Sequence, residues 1–140
     1  MDQEKMIGVE VMVKAPMERV WAAWTEPAHI VNWAFASADW EAPQAENDLR
    51  VGGKFRTRMQ AKDGSAGFDF NGTYTAVKEH ELIEYEIEGG RTVRVEFAEL
   101  PWGIRVAETF EPETENPEDM QKAGWQAILE NFKKYAESGE

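Results

Sequence analysis

One acidic side chain stands in an otherwise apolar strand pattern, and it is the residue whose type and position could do chemistry. Glu108 shares its phase with neighbours that alternate along the chain, Ile104, Val106 and Phe110. That phase points its carboxylate inward, where an unpaired charge is costly to bury. One interpretation is a polar anchor with a raised pKa inside an apolar cavity. The other is a slip of the period by a bulge, or pairing at the rim with Arg56 or Arg58.

Other groups capable of catalysis are scarce. His29 falls in a predicted short helix near the expected cavity mouth, and His80 falls in a charged, exposed turn. The chain has no cysteine, which excludes disulfides, thiolate ligands and thiol nucleophiles. Two isolated histidines give no metal-ligand spacing, so neither a metal site nor a cofactor is predicted. The serines have no histidine or aspartate partner nearby in sequence, so no catalytic residue is assigned.

A second polar pair precedes a double glycine. Asp48 and Arg50 are two residues apart on an extended segment and therefore point to the same side. They either form a structural contact that fixes the loop before Gly52, or leave Arg50 to face a ligand carboxylate or a partner protein. Gly52 and Gly53 lack the Gly-Lys-Ser/Thr ending of a phosphate loop and precede a strand, which favours a turn or bulge.

Length and charge restrict the class of protein. The 140 residues make one domain, 1–140. They carry 15 basic and 27 acidic side chains, a net charge of −12, which argues against nucleic acid or an anionic membrane as partner because both require a basic face. No apolar run reaches the roughly 18 residues of a membrane span, and the N-terminus has no signal-peptide pattern. A cytoplasmic location is expected. The acidic excess lies in residues 1–50 and 107–140, and the middle is nearly neutral.

The first third of the chain predicts a strand followed by two short helices. Alternating apolar residues indicate a half-buried strand over 6–14. Pro16 suits the first turn of a helix whose apolar face contains Val20, Trp21 and Trp24. Pro27 ends that helix or begins a second one that runs through Trp33. Residues 34–50 show no period and predict a loop, with room for a short strand near Trp40.

From Gly52 onward a period of two returns repeatedly. The apolar faces of the predicted strands are Phe55/Thr57/Met59, Phe68/Phe70/Gly72/Tyr74, Ile83/Tyr85/Ile87, Val93/Val95/Phe97 and Ile104/Val106/Phe110. Turn residues separate them at 62–65, 89–90 and 100–103. Consecutive strands at such short spacing predict an antiparallel, meandering sheet.

The chain ends in a predicted amphipathic helix. Asn116 is a suitable N-cap and Pro117 a suitable first helical residue, and Gly139 is a plausible stop. The apolar stripe consists of Trp125, Ile128, Leu129, Phe132, Tyr135 and Ala136. This helix would cover the apolar face of the sheet, and a cavity between the two is a natural expectation.

Several motifs follow each other along the chain in the order found in one protein family. They are the segments "VEVMVKAPMERVWAAWTEPAHIVNW" and "DLRVGGKFRTRM", Asp63-Gly64, "GTYTAV" at 72–77 and Gly124-Trp125. Together they cover nearly the whole chain and resemble the Hsp90-ATPase-activator homologue-like family of the START/Bet v 1 (polyketide cyclase/SRPBCC) superfamily. The resemblance implies an α+β helix-grip fold. In that fold a curved antiparallel sheet of about six or seven strands surrounds a long C-terminal helix, and two short helices follow the first strand.

The family does not imply one function, so three hypotheses remain. The first is a binding protein for an unidentified small apolar or aromatic ligand, held between the sheet and the C-terminal helix. The second is a co-chaperone-like domain acting on an Hsp90-type ATPase, and the third is a cyclase- or hydrolase-type enzyme that uses Glu108 or His29. A monomer or a homodimer is expected. The predicted ligand-binding residues are Trp24, Phe55, Met59, Phe70, Tyr74, Tyr85, Phe97, Glu108, Trp125 and Leu129.

Overall fold

A computed structural model describes residues 6–138 and contains, within that range, seven strands, three α-helices and a single 3₁₀ turn at 88–90. Gly139 lies outside the described residues. The elements are β1 (Ile7–Val13), α1 (Met17–Thr25), α2 (Pro27–Ile30), β2 (Trp40–Asn47), β3 (Lys54–Ala61), β4 (Gly67–Lys78), β5 (Leu82–Ile87), β6 (Arg91–Leu100), β7 (Gly103–Phe110) and α3 (Glu118–Glu137). The predicted α+β helix-grip fold is confirmed.

The seven strands form one antiparallel sheet in the order β1-β7-β6-β5-β4-β3-β2. Strands β2 to β7 follow each other as neighbours, as the short turns predicted. Because β1 and β2 are the two edges, the chain must cross from one side of the sheet to the other after β1, and α1 and α2 make that crossing. The two short helices therefore close one end of the concave face.

The structure corrects three boundaries. Helix α2 ends at Ile30 and does not run through Trp33. Residues 40–47 form an edge strand of eight residues where the sequence predicted mainly a loop. Its register with β3 shifts between Glu41 and Gln44, around Pro43, which cannot donate a ladder hydrogen bond. The interruption removes the period that would have revealed the strand. Helix α3 begins one residue later than predicted, because Pro117 and not Asn116 occupies the N-cap position.

Helix α3 is held against the sheet by its aromatic stripe. The ring of Trp125 stacks on Phe110 of β7, with centroids 3.9 Å apart and planes inclined by 10°. Further along the helix, Leu129, Phe132 and Ala136 are fully buried, and each large side chain contributes about 2 kcal/mol. Lys133 donates to the carbonyl of Met12 at 2.7 Å, which joins the end of the helix to β1.

One predicted inward ring is only half-buried. Phe68 has the phase of Phe70 and Tyr74 but is 50% exposed, and it lies at the exposed start of β4, where residues 67–69 are all exposed. No helix within residues 6–138 is long and apolar enough to cross a membrane.

The packing around two glycines predicts opposite effects of their substitution. A Cβ on Gly72 in β4 would lie 2.4 Å from the carbonyl oxygen of Glu86 and 3.0 Å from the Phe55 ring, whereas a Cβ on Gly124 in α3 would meet nothing within 4 Å. Gly72→Ala should lower the free energy of unfolding by about 1–3 kcal/mol. Gly124→Ala should raise it by roughly 0.5–1 kcal/mol. Urea unfolding measures both, and equal effects would contradict the packing described.

Candidate functional site

A pocket of about 280 Å³ lies between the concave face of the sheet, helix α3 and the two short helices. Its wall is mostly aromatic and aliphatic, with a few polar groups. The lining residues are Trp24, Ile30, Trp33, Ala34, Glu46, Asn47, Phe55, Thr57, Met59, Phe68, Phe70, Tyr74, Tyr85, Arg91, Glu108, Glu113, Gln121, Trp125 and Ile128. Every second residue of a strand points inward. All strands except β1 contribute such side chains to the wall.

Eight of the ten residues predicted to bind a ligand line this pocket: Trp24, Phe55, Met59, Phe70, Tyr74, Tyr85, Glu108 and Trp125. Phe97 and Leu129 do not. Phe97 is covered by the rings of Trp21 and Trp24, at 5.2 and 5.9 Å, and Leu129 is 1% exposed in the core. Strand phase and helix stripe give the face of a side chain, but not its position along the curved sheet.

Several other wall residues were not among the predicted ligand-binding residues. Trp33 follows α2 and is buried, with its indole nitrogen donating to the carbonyl of Ala23 at 2.9 Å. Asn47 comes from the edge strand that was predicted mainly as a loop. Thr57 lay on the predicted inward face, between Phe55 and Met59, and its phase was the available signal. For Arg91 and Glu113 no pattern in the sequence indicated a place in the wall.

Glu108 faces the pocket from the interior of the sheet. It is directly opposite Val9 of β1 and Val95 of β6, and neither pairing contains a bulge at this point. Arg56 pairs with Glu46 and Arg58 with Asp69, so neither arginine neutralises it. The interpretation that a slip or a rim arginine relieves this carboxyl group is therefore wrong.

Burial dominates the chemistry of this carboxyl group. Glu108 is 7% exposed, and no hydrogen bond or ion pair within residues 6–138 involves its side chain. No sealed polar side-chain atom in this part of the chain lacks a partner, so the carboxyl oxygens open onto the pocket. Desolvation raises the pKa of Glu108 to about 8. At neutral pH the group is mostly a neutral acid, able to donate one hydrogen bond and to accept others.

Two hydroxyl groups in the wall also lack a hydrogen-bond partner within residues 6–138. The side chains of Thr57 and Tyr85 line the pocket and have no hydrogen-bond partner within the described chain. Burial, and secondarily the nearby charge of Glu108, raise the pKa of Tyr85 well above its usual value. Tyr74 differs because its hydroxyl donates to Oδ1 of Asn47 at 2.5 Å. Three polar groups therefore point into the pocket with hydrogen-bonding capacity left unused.

The charged residues of the wall lie at its rim and are already occupied. Glu46 is 69% exposed and accepts from Arg56 at 3.2 Å. Arg91 donates to the carbonyl of Glu111 at 3.1 Å. Glu113 accepts from Asn116, and these hydrogen bonds hold the pKa of its carboxyl group below the usual value. The rim therefore carries more negative than positive charge.

Neither histidine belongs to the wall. His29 contacts the hydroxyl of Tyr135 through Nδ1 at 2.5 Å, and His80 packs its ring edge against Trp21 at 5.7 Å. An acid–base pair of His29 with Glu108 in one pocket is not formed. Within residues 6–138, no group of three His, Asp or Glu side chains is arranged to hold a metal ion.

The Asp48–Arg50 pair forms at the surface and also lies outside the wall. The guanidinium Nε of Arg50 donates to both carboxylate oxygens of Asp48 at 3.0 Å. Arg50 is 74% exposed. The contact agrees with the structural interpretation, in which the pair fixes the loop before Gly52.

Known protein structures with similar sequences have the same fold as this chain. The chain is 46% identical to the AHSA1-like protein from Aeromonas hydrophila, with a TM-score of 0.90 over 96% of this chain and 93% of that one. It is 52% identical to Chr148 from Cytophaga hutchinsonii, with a TM-score of 0.81 over 94% and 92%. Protein NE0264 from Nitrosomonas europaea, at 21% identity and a TM-score of 0.84 over 100% and 99%, shares the fold. No curated protein matches the chain.

A family model covers most of the sequence. The model described as "Activator of Hsp90 ATPase homolog 1-like protein" matches residues 14–137. This range begins after β1 and includes every other strand and all of α3. The chain therefore belongs to the family of Activator of Hsp90 ATPase homolog 1-like proteins.

Proposed function

We propose that this protein binds a small, mainly aromatic molecule that carries one polar group. The observation that carries the proposal is the carboxyl group of Glu108, which is buried, lacks a partner in the described chain and faces the pocket. A buried group in this condition forfeits hydrogen-bond free energy. A ligand that supplies the missing partner would recover it.

The size of the pocket limits the ligand. A dry cavity of about 150 Å³ in another protein takes benzene, and this pocket is roughly twice as large, at about 280 Å³. A molecule of two fused rings is therefore a suitable size. Phe55, Phe70 and Trp125 would contact its ring system, and such aromatic contacts favour edge-to-face or offset geometry.

A co-chaperone-like role is the second candidate, and the family match favours it. The family description names an activator of the Hsp90 ATPase, and the cytoplasmic location expected from the sequence is compatible with this role. An ATPase assay with an Hsp90 from the same organism tests it: stimulation together with direct binding would support it, and the absence of both would eliminate it. The third hypothesis is an enzyme that uses Glu108 or His29. We do not propose it, because His29 lies outside the pocket wall and so does not share the pocket with Glu108.

The buried acid predicts a pH dependence of stability. The pKa of Glu108 is raised from 4.5 to about 8, so its stabilising contribution is fully present below pH 4.5 and is lost as the pH rises through 8. Between pH 5 and pH 8 this group alone should lower the free energy of unfolding by on the order of 3 kcal/mol. Glu108→Gln, which cannot ionise, should remove that component.

The measurement is urea unfolding at several pH values. Glu99→Gln is the matched control, because Glu99 is exposed and outside the pocket but carries the same charge. The control should retain the pH dependence of the unchanged protein. Equal pH dependence in Glu108→Gln and the unchanged protein would contradict the buried, desolvated state of Glu108.

If the ligand binds in this pocket, a side chain that fills the pocket should weaken binding. Ile128 lines the pocket from α3, whereas Lys122 is exposed on the same helix. The unchanged protein should bind 2-naphthol, and Ile128→Trp should weaken the affinity at least about ten-fold, or roughly 1.4 kcal/mol, by occupying the space. Lys122→Trp adds the same ring outside the pocket and should have little effect.

Isothermal titration calorimetry measures the affinities, and thermal unfolding confirms that each variant is folded. No binding of 2-naphthol to the unchanged protein would oppose the proposed function. Full affinity in a folded Ile128→Trp variant would show that the probe binds elsewhere.

A further inference from the structure

The proposed function leaves open the chemistry of the polar group on the ligand, and the wall of the pocket discriminates between the choices. Glu108 can act as a neutral acid or as a carboxylate. The neutral acid could donate to a neutral ligand or to an anion, whereas the carboxylate would pair with a cation and repel an anion. The groups around Glu108 determine which of these is best accommodated.

The rings that line the pocket together with Glu108 favour a cation. Three tryptophans line the pocket, Trp24, Trp33 and Trp125, together with Phe55, Phe70 and Tyr85. The faces of such rings carry negative electrostatic potential and attract ammonium groups, most strongly when water is excluded. A carboxylate and aromatic rings in the wall of one pocket can stabilise an organic cation in two ways, by charge and by the ring faces.

The remaining charges point in the same direction. The guanidinium of Arg91 is the one positive group in the described wall, and it already donates to the carbonyl of Glu111. The carboxylates of Glu46 and Glu113 lie at the rim, and the whole chain has a net charge of −12. This field concentrates cations near the pocket and repels anions.

We propose that the pocket selects a protonated amine on an aromatic or apolar body, whose ammonium group pairs with the carboxylate of Glu108. This inference rests on the proposed function, since it specifies the ligand of that site. The carboxyl group gives up its proton when the ammonium enters: the acidic O–H bond breaks, the proton passes to solvent, and the ammonium donates to the resulting carboxylate. No bond to the ligand is formed or broken.

The exchange makes binding depend on pH in a defined way. The groups facing the pocket that can change charge are Glu46 on β2, Tyr74 on β4, Tyr85 on β5, Arg91 on β6, Glu108 on β7 and Glu113 after β7; α1, α2 and α3 contribute only neutral side chains. Burial raises the pKa of both tyrosines, and the pKa of Glu113 is lowered. Among these groups, Glu108 is the buried acid whose pKa, about 8, is close to the pH values at which binding is to be measured.

Three probes with one ring system test the inference: 2-(aminomethyl)naphthalene as the cation, 2-naphthol as the neutral molecule and 2-naphthoate as the anion. At pH 8 the amine should bind about ten-fold more tightly than the naphthol. The naphthoate should bind at least about ten-fold more weakly than the naphthol. The affinity of the amine should rise up to ten-fold per pH unit between pH 6 and 7.5. The affinity of the naphthol should not rise.

Calorimetry in buffers of different ionisation enthalpy counts the released protons. At pH 7 the amine should release about one proton per molecule bound, and the naphthol none. In Glu108→Gln the release should disappear and the preference for amine over naphthol should fall at least about ten-fold. Glu99→Gln should retain both, which controls for the loss of one negative charge.

The outcomes separate the two proposals. If naphthol binds but the amine binds no more tightly and releases no proton, the amine inference is overturned and the proposed function stands. If none of the three probes binds, the proposed function fails as well. Should Glu108→Gln not fold, proton release and the pH profile of the unchanged protein still decide the matter.

Discussion

The structure depends on the attachment of helix α3 to the concave face of the sheet. The stack of Trp125 on Phe110 makes that attachment, and the packing of Phe132 against Trp24 of α1 and Trp33 after α2, at 4.8 and 5.0 Å, fixes the helix to the two short helices. A helix of 20 residues is a straight rod about 30 Å long, whereas the sheet curves. A straight helix over a curved sheet leaves a space, and Gln121, Trp125 and Ile128 line the pocket from the helix side.

The register of the sheet keeps Glu108 in that space. Strand β7 is paired on both sides, with β1 and with β6, so its main chain cannot shift alone. A slip of one residue would turn Val106 and Phe110 to solvent along with Glu108, at a far greater loss of buried apolar surface. The burial of the acid is therefore imposed by its neighbours. A hydrogen-bond or ionic partner for the buried carboxyl group therefore has to come from the pocket side, and this links the fold to the proposed ligand.

The sequence predicted the fold well because its signals were local and periodic. Alternation identified strands β3 to β7, and the stripe from Trp125 to Ala136 identified α3. Edge strand β2 was mostly missed because Pro43 and the adjacent register shift interrupt its period. The start of α3 was placed one residue early because Asn116 and Pro117 both carry N-terminal signals, and local preference does not decide between them.

The site was predictable only as far as strand phase reaches. Phase gives the face of Glu108, Phe55 and Tyr85, but depth along the sheet depends on where α3 and the short helices lie. That dependence explains why Phe97 and Leu129 fall outside the wall while Trp33 lies in it. Relief of the Glu108 carboxylate by a rim arginine was an open choice in the sequence, since strand phase does not show which carboxylates Arg56 and Arg58 reach.

The protonation of Glu108 is the central claim, and carboxyl-carbon NMR of the protein labelled at glutamate side chains observes it directly. In the free protein the Glu108 resonance should titrate with a midpoint of about pH 8. Saturating 2-(aminomethyl)naphthalene should lower that midpoint, since the ammonium group stabilises the carboxylate. A midpoint near 4.5 in the free protein, unchanged by the amine, would contradict the account.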